Sequence, residues 1–323
     1  MQMDKKTIKI VAPSRNYTMT KKQIESKADE IYVDVESGDF KVLSFSRRHK
    51  KANGVNIQLR SYEELKKHSD LCHANGVEVQ LTANIHYVPQ ELVDGYINHI
   101  KNCIDAGVDK LVISDISVVK EIRKRGITTP IIASSYTFTP NSEMVKFLEH
   151  LGVSRIVLPQ AISISEISRI KEKNPNMEIE VVAFIGGGNN CGRCLMAHSP
   201  MRKDIAMGCR ALYDIQYDGK KYSGKKFLDA AADCSLCSMP DLISSGVSTL
   251  KIFGRESKNE SIPIKLTKVF HFFREGVLSG LSVEQIKEKL TRETLFWQMN
   301  WVPRFCENKK CKFHETDITN SYI

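Results

Sequence analysis

The cysteines of this sequence are concentrated in its second half, which indicates metal binding or redox chemistry. The chain has 9 cysteines, and seven of them follow residue 190: Cys191, Cys194, Cys209, Cys234, Cys237, Cys306 and Cys311. Two C-x-x-C pairs are among them, Cys191 with Cys194 and Cys234 with Cys237. Thiolates at this spacing in a turn can point to one side and hold one metal ion or one edge of a cluster. Thiolate ligands suit zinc and iron–sulfur clusters.

Three kinds of site fit these spacings, and the residues alone do not separate them. A structural zinc ion and a [4Fe–4S] cluster each take four thiolates, whereas a redox pair takes two. An odd cysteine count in a chain of 323 residues argues against a disulfide scaffold. Cys72 and Cys103, each alone on a predicted helix, are interpreted as inert buried residues. The segment Cys306-x₄-Cys311-x₂-His314 stays open between a zinc site, a redox pair and a solvated tail.

Eight short apolar runs of strand type alternate with amphipathic helical segments. They begin near Lys9, Glu30, Glu78, Lys110, Pro130, Arg155, Ile179 and Thr249. Four helix-to-strand junctions repeat one pattern, with a glycine just before the strand: Gly76, Gly107, Gly152 and Gly246. A glycine there can adopt the left-handed conformation that ends a helix. This rhythm predicts parallel strands, and eight of them favour a (β/α)₈ barrel of the TIM type over a doubly wound sheet.

In such a barrel, functional residues lie on the loops that follow the strands. The sequence places Arg48, His86 and Arg255 on such loops. Arginine side chains suit carboxylates and phosphates, and a histidine can stack on an aromatic ring or a base. We therefore take Arg255, Arg48 and His86 as candidate catalytic residues. The cysteine-rich insertion, residues 186–248, follows the seventh strand and so opens on the same face.

Composition limits the class of protein. Lys and Arg total 47 against 38 Asp and Glu, which gives a net charge of +9, and 41% of residues are hydrophobic, as in globular proteins. The charge suits an anionic substrate or RNA, although a lysine-rich surface is the simpler explanation. No apolar run reaches about 18 residues, so we expect no membrane span and a cytoplasmic protein. We expect a barrel domain over residues 1–278 and a helical extension with a Cys-containing tail over residues 279–323.

Several motifs, in the same order along the chain, resemble peptidase family U-32, the collagenase-like proteins. Residues 11–14 (VAPS) resemble the family's L-A-P-A-G start, residues 192–196 (GRCLM) its S-G-R-C-L-L signature, and residues 250–255 (LKIFGR) its L-K-I-E-G-R strand end. Further similarity lies at residues 28–33, 112–115, 209–210, 233–234 and 240–242. The resemblance runs from about residue 10 to about residue 274 and implies a barrel fold.

The resemblance also implies a metal cofactor. Several family members are identified as iron–sulfur enzymes with four cysteine ligands, and Cys194, Cys209 and Cys234 match three of those positions. The family's first cysteine falls on Gly187 here, so we take Cys191 as the fourth ligand. The expected cofactor is a [4Fe–4S] cluster on Cys191, Cys194, Cys209 and Cys234. Cys237 is the alternate ligand, and zinc is the alternative metal.

The function that the resemblance implies is oxygen-independent hydroxylation or a related modification of an aromatic small molecule, such as a quinone precursor, or of an RNA base. Prephenate is the proposed oxygen donor in some family members, and the short members can work in pairs. We therefore expect an anionic or aromatic substrate, RNA as a further candidate, and a homologous partner subunit or a homo-oligomer.

Two other functions stay open. A collagenase-like peptidase would need an activated nucleophile or a metal-bound water, and the sequence contains neither H-E-x-x-H nor G-x-S-x-G. A non-catalytic, cluster-bearing partner of a homologous subunit is the other. Gly187 in place of the first family cysteine, and Phe253 in place of a family glutamate, both point in that direction.

Overall fold

The structure is a computed structural model that describes residues 8–36, 56–85, 87–160, 162–185, 212–225, 233–308 and 311–313. Its strands are β1 (Lys9–Pro13), β2 (Glu30–Val33), β3 (Glu78–Ala83), β4 (Lys110–Ile113), β5 (Ile131–Ala133), β6 (Val153–Val157), β7 (Glu178–Ile185), β8 (Tyr213–Tyr217), β9 (Lys220–Lys225), β10 (Asp233–Cys234) and β11 (Thr249–Ile252).

Strands β1 to β7 and β11 form a closed parallel barrel. Strands β1 to β7 pair with their neighbours in chain order, and β11 lies between β7 and β1. The pairing of β6 with β7 completes the circuit. The predicted (β/α)₈ barrel is therefore confirmed, and closure excludes the doubly wound sheet.

Helices cover the outside of the barrel. They are α1 (Tyr17–Glu25), α2 (Tyr62–His73), α3 (Val93–Asp105), α4 (Ile116–Lys124), α5 (Ser142–His150), α6 (Ile164–Lys173), α7 (Met239–Ser244), α8 (Ser261–Leu278) and α9 (Val283–Glu293). Several begin at a side chain that accepts a hydrogen bond from a backbone N–H of the first turn, as Asn16, Ser61 and Asp115 do. Such caps satisfy donors that the helix itself leaves unpaired.

The glycines at the helix-to-strand junctions adopt the predicted left-handed conformation. The φ angles of Gly76, Gly107, Gly152 and Gly246 are 70°, 96°, 81° and 86°. At Gly107, a Cβ atom would lie 2.8 Å from the Cβ of Ser69 on α2. This junction therefore requires glycine both for its backbone angle and for the close approach of the preceding helix.

The barrel wall divides the hydrophobic core into two parts. The larger part lies between strands and helices and includes Leu111 and Ile113 of β4. Val112, between them in sequence, faces the barrel interior, because successive side chains of a strand point to opposite faces. The interior apolar layer consists of Val112, Ile132, Val157 and Val182, with Phe253 packed against it.

Charged side chains fill the amino-terminal end of the barrel interior. Glu30, fully buried at the start of β2, accepts hydrogen bonds from Arg155 at 2.7 and 2.9 Å and from Lys110 at 2.7 Å. Arg155 also donates to Glu180 at 3.3 Å. Burial alone raises the pKa of Glu30, but the hydrogen bonds and charges of Arg155 and Lys110 bring it below its ordinary value. We call Glu30, Lys110, Arg155 and Glu180 the amino-end ion network.

The segment between β7 and β11 contains three further strands. Strands β8 and β9 form an antiparallel hairpin, which the sequence did not predict. Strand β10 then returns to the barrel and pairs antiparallel with the end of β7, so that Asp233 lies opposite Ile185 and Cys234 opposite Phe184. A short 3₁₀ helix (Leu236–Ser238) and α7 lead from there into β11.

The C-terminal part packs against the barrel and then returns to its carboxyl-terminal end. Helix α8 packs on β1, and a π-helix (Trp297–Cys306) follows α9. The π-helix buries Trp297, Trp301 and Phe305, and the ring of Trp301 lies 5.6 Å from that of Trp297 and 4.8 Å from that of Phe305. Beyond it, Cys311 forms an isolated parallel β-bridge with Cys234. The tail is thereby placed beside β10.

Candidate active site at the carboxyl-terminal end of the barrel

Arg255 follows β11 and extends across the carboxyl-terminal end of the barrel. Its side chain is buried, and its Nη1 donates a hydrogen bond to Thr82 Oγ1 of β3 at 3.0 Å. Its Nη2 lies 3.9 Å from Asp34 Oδ2, just beyond β2. One guanidinium therefore connects three strand ends, which fixes its position at the carboxyl-terminal opening of the barrel. We call this opening the mouth.

A second arginine holds the loop that carries Arg255. Arg15, which follows β1, donates from Nη1 to the backbone oxygens of Arg255 at 2.7 Å and Ser257 at 2.6 Å. Its Nε forms an ion pair with Glu260 at 3.0 Å. Arg15 is thus a positioning residue, because these contacts fix the Arg255 loop against the end of β1.

Tyr32 forms an aromatic surface beneath these groups. The Arg255 guanidinium carbon lies 5.4 Å from the centre of the Tyr32 ring, and Lys251 Nζ lies 4.8 Å from it. Phe253 meets the same ring edge-on, with centroids 6.4 Å apart. Burial raises the pKa of the Tyr32 hydroxyl well above its ordinary value. The mouth therefore combines a protonated phenol, a second aromatic ring and two cations.

Polar groups on the opposite side of the mouth lack partners within the described part of the chain. These are Ser114 Oγ, just beyond β4, and Gln160 Nε2, beyond β6. A buried polar group without a hydrogen bond costs about 1–3 kcal/mol, so such groups suit a bound ligand or water. The mouth thus offers neutral hydrogen-bonding groups across from the cationic side.

Some of the predicted site residues belong to the part of the chain that the structure describes, and others do not. Arg255 lies at the predicted position in the mouth. Arg48, His86, Cys191, Cys194 and Cys209 lie outside the described residues, so their roles stay predictions.

Cys234 is the predicted cluster ligand that the structure describes. It is buried beside the end of β7, and burial raises the pKa of its thiol. Among the smaller influences on this pKa, the Trp301 indole acts to lower it and Cys237 acts to raise it. Groups around a sulfur ligand are among the means by which proteins tune thiolate-bound metals. The chemistry of this position fits a ligand for zinc or iron.

The described residues alone do not complete a metal site. Among them, no three His, Cys, Asp or Glu side chains are arranged, as they stand, to hold one ion. Of the four predicted ligands, only Cys234 belongs to that part of the chain. The [4Fe–4S] assignment on Cys191, Cys194, Cys209 and Cys234 therefore stays a prediction, as does the zinc alternative.

Sequence reasoning missed part of the mouth. Tyr32 and Thr82 are inward-facing residues at the carboxyl-terminal ends of their strands, and Asp34 follows β2. Alternation along each strand is a signal that could have found them. The predicted site residues lie on the loops that follow the strands and therefore do not include these three. The placement of Cys311 beside Cys234 had no comparable signal in the sequence.

The chain belongs to Peptidase family U32, whose family model matches residues 15–301. It is 25% identical over 262 residues to tRNA hydroxylation protein P1 of Bacillus subtilis, a match that covers 76% of this chain and 58% of that protein. It is 24% identical to the 23S rRNA 5-hydroxycytidine C2501 synthase of Escherichia coli, over 79% of this chain and 37% of that one. The matched part is thus less than two thirds of these relatives' length.

Among solved structures, that of the U32 peptidase Mk0906 is similar to the structure of this chain. It has a TM-score of 0.49 and 14% identity, over 79% of this chain and 95% of the other. In the part of this chain that the structure describes, no helix combines the length and apolar character that crossing a membrane requires.

Proposed function

We propose that this chain catalyses oxygen-independent hydroxylation of an RNA base. The observation that carries the proposal is the buried Arg255 held over the aromatic ring of Tyr32 at the catalytic end of a U32-family barrel. Relatives in this family carry the names of tRNA and rRNA hydroxylation proteins. An RNA substrate also implies a cytoplasmic location.

The mouth has the properties that a planar base with an anionic neighbour needs. A guanidinium is planar and always charged, so it binds carboxylate or phosphate oxygens through two parallel hydrogen bonds. Arg255 is fixed by Thr82 and by the loop that Arg15 holds, so less of its freedom is lost on binding. Tyr32 and Phe253 supply apolar surface that excludes water from one side of a bound ring.

The proposed cofactor is a [4Fe–4S] cluster on Cys191, Cys194, Cys209 and Cys234. When bound, it would supply an iron with an open coordination position that acts as a Lewis acid toward substrate or oxygen donor. Cys237 is the alternate ligand, and zinc is the alternative metal. Cys234 lies at the same end of the barrel as Arg255, which supports placing the cofactor and the substrate together.

Hydroxylation without dioxygen requires another source of oxygen. A C–H bond of the base is replaced by C–OH, and the donor molecule gives up one oxygen atom and is reduced by two electrons. A carboxylate-bearing donor such as prephenate suits the Arg255 guanidinium. A homologous subunit or a second copy of this chain is the proposed partner.

The test uses full-length protein purified without oxygen, with iron, acid-labile sulfide and zinc measured before any assay. We expect about four irons and four sulfides per chain, the composition of the proposed cluster. Nucleosides from tRNA and rRNA of a strain lacking the gene would then be compared by mass spectrometry with those of the complemented strain. A hydroxylated nucleoside that returns with the gene would support the proposal.

Arg255→Lys separates substrate binding from cofactor loading. We expect this variant to keep its iron and sulfide while the hydroxylated nucleoside falls, because lysine cannot reproduce the bidentate guanidinium contact. Arg292→Lys, an exposed position on α9, is the matched control. A normal level of modified nucleoside with Arg255→Lys would contradict the role given to the mouth. Zinc without sulfide in the purified protein would contradict the proposed cluster.

A further inference from the structure

The hairpin of β8 and β9 contains three of the chain's 10 tyrosines: Tyr213, Tyr217 and Tyr222. Two of these side chains are exposed, Tyr217 by 75% and Tyr222 by 44%. Antiparallel strands commonly bury one face against a core, whereas no residue of β8 and no described side chain of β9 is buried. Aromatic side chains left exposed together are a feature of surfaces that bind another molecule.

The shape of the hairpin is set by its own residues. Asp218 and Gly219 form its two-residue turn with positive φ angles of 48° and 71°, as a type I′ turn requires. Gly224, with a φ of 64°, donates its backbone N–H to Asp214 Oδ1 at 3.0 Å, and Asp214 Oδ2 lies 3.5 Å from Lys221 Nζ. These local contacts fix which residues pair, so the two faces of the hairpin are defined.

The pairing collects the three tyrosines on one face. Tyr217 lies opposite Lys220, and Ile215 lies opposite Tyr222. Alternate residues of a strand point to the same side, so these four side chains and Tyr213 share a face. Its described side chains are thus three phenol rings, one isoleucine and one ammonium group, with no carboxylate among them. We call this surface the tyrosine face.

The distribution of charge on the hairpin favours an anionic partner. Asp214 and Lys221 lie on the opposite face, where each offsets the charge of the other. Lys220 is exposed beside the tyrosine rings, and the chain as a whole has a net charge of +9. Nucleic acid matches this combination, because its bases stack on aromatic rings while its phosphates attract lysine.

The spacing of the exposed rings favours unpaired bases over a duplex. Tyr217 and Tyr222 occupy diagonal positions across the two strands, which lie about 7–8 Å apart in such pairing. This is about twice the 3.4 Å rise between successive nucleotides of a duplex strand, so one base has room between two rings. Bases of a duplex are stacked on each other, whereas those of a single strand are free to stack on side chains.

We propose that the tyrosine face binds single-stranded RNA, with bases stacked on Tyr217 and Tyr222 and a phosphate near Lys220. This inference rests on the proposed function, which supplies RNA as the substrate. It adds an RNA contact outside the mouth, on the same insertion, residues 186–248, that contains the predicted cluster ligands. The hairpin would hold the strand while a single base is modified.

RNA affinity tests the two exposed rings. Full-length protein purified without oxygen is titrated into a fluorescein-labelled oligouridine of about 12 nucleotides, and binding is followed by fluorescence anisotropy. Tyr217→Thr and Tyr222→Thr should each weaken binding about 5- to 100-fold, the usual effect of losing one stacking ring. Threonine keeps the preference for a strand, so the hairpin is retained.

Two further variants separate the ring from other effects of substitution. Tyr217→Phe keeps the ring and should bind the oligouridine as the wild type does. Phe147→Ala removes an exposed ring on α5, away from the hairpin, and is the matched control that should also leave affinity unchanged.

The salt dependence of the same titration tests the lysine. Lys220→Gln should lower the slope of log affinity against log salt concentration by about 0.7, the value for one phosphate contact with a single strand. Lys124→Gln, at an exposed position on α4, is the matched control and should leave the slope unchanged.

Photocrosslinking requires no variant and so keeps the proposal testable if a substitution unfolds the hairpin. Wild-type protein is irradiated with the oligouridine, and the crosslinked peptides are identified by mass spectrometry. We expect uridine attached to Tyr217 or Tyr222.

Three outcomes would overturn the proposal. They are wild-type affinity in Tyr217→Thr/Tyr222→Thr, an equal loss in Tyr217→Phe and Tyr217→Thr, and crosslinks confined to residues outside the hairpin. Failure of the proposed function gives a different result. RNA binding that depends on the tyrosines, without any hydroxylated nucleoside, would contradict the hydroxylase alone. Normal hydroxylation with wild-type affinity in the double variant would contradict the hairpin proposal alone.

Discussion

The two ends of the barrel use charge in opposite ways. At the amino-terminal end, Glu30 and Arg155 are buried and meet each other at 2.7 and 2.9 Å. At the carboxyl-terminal end, Arg255 donates to the neutral hydroxyl of Thr82 at 3.0 Å and lies 3.9 Å from the carboxylate of Asp34. The buried ion pairs of the amino-terminal end are committed to the fold, whereas Arg255 lies at the end of the barrel where ligands bind. The comparison assigns stability to one end and binding to the other.

The largest expected effect comes from removing the central cation of the amino-end ion network. Arg155→Met removes the guanidinium that Glu30 and Glu180 share and leaves these buried carboxylates with lysines as their charged partners, among them Lys110 and Lys251. This should cost about 3–5 kcal/mol of unfolding free energy. Urea unfolding measures this cost. Arg125→Met, which breaks an exposed ion pair with Asp94, should cost under about 1 kcal/mol. Similar losses in the two variants would contradict the comparison.

The free energy of unfolding should fall with decreasing pH in two separate pH ranges, which we call the upper and the lower window. Burial lowers the pKa of His99 on α3 from 6.5 to about 4. The unfolded state binds this proton first, so stability falls as pH drops from 6.5 toward 4, by about 3 kcal/mol in all. Glu30, whose pKa lies below its ordinary 4.5, contributes stability above that pH and loses it only at lower pH.

Urea unfolding across pH distinguishes the two windows. His99→Phe should remove the upper window and leave the lower one, because Glu30 belongs to a different part of the core. Loss of both windows in this variant would place the acid sensitivity outside the amino-end ion network.

At the mouth, the expected loss is in activity rather than stability. Arg255→Met removes charge-assisted hydrogen bonds worth about 1.5–3 kcal/mol, which corresponds to a fall of about 10- to 100-fold in RNA hydroxylation. Single-turnover assays with excess protein measure this fall, and urea unfolding measures its cost to the fold. If the variant unfolds as easily as Arg155→Met, the two ends are not functionally distinct.

The smallest expected effect tests the junctions at the amino-terminal ends of the strands. Gly107→Ala meets both an unfavourable φ and the Cβ of Ser69, so it should cost more than the about 1–2 kcal/mol of the left-handed conformation alone. Gly76→Ala has the same backbone problem with open space around it and is the matched control. Both should leave hydroxylation unchanged per folded molecule, and equal costs would show that crowding contributes nothing.

Local patterns predicted the barrel well. Each of the eight strand runs overlaps a strand, and the four junction glycines have positive φ, because both features depend on residues close together in the chain. Arg255 was found because it directly follows the eighth strand. These successes need only the periodicity of a strand and the conformational freedom of glycine.

The contacts that complete each end were beyond local reasoning. Glu30 and Arg155 are 125 residues apart and meet only because the barrel closes. Lys312 reaches Cys234 after three α-helices and a π-helix have turned the chain back. No periodicity encodes either contact, since each is set by the sum of many helix lengths and packing angles.

The antiparallel pairing of β10 with the end of β7 has an evolutionary consequence. The insertion leaves the barrel at Ile185 and returns at Asp233, directly opposite it. The two ends of the insertion are therefore held next to each other by strand pairing. Its length can change without altering the spacing of the barrel strands or the closure of the barrel. Doubling a loop costs only about 0.6 kcal/mol in closure entropy. A change in the length of this segment should therefore leave the barrel core as it is.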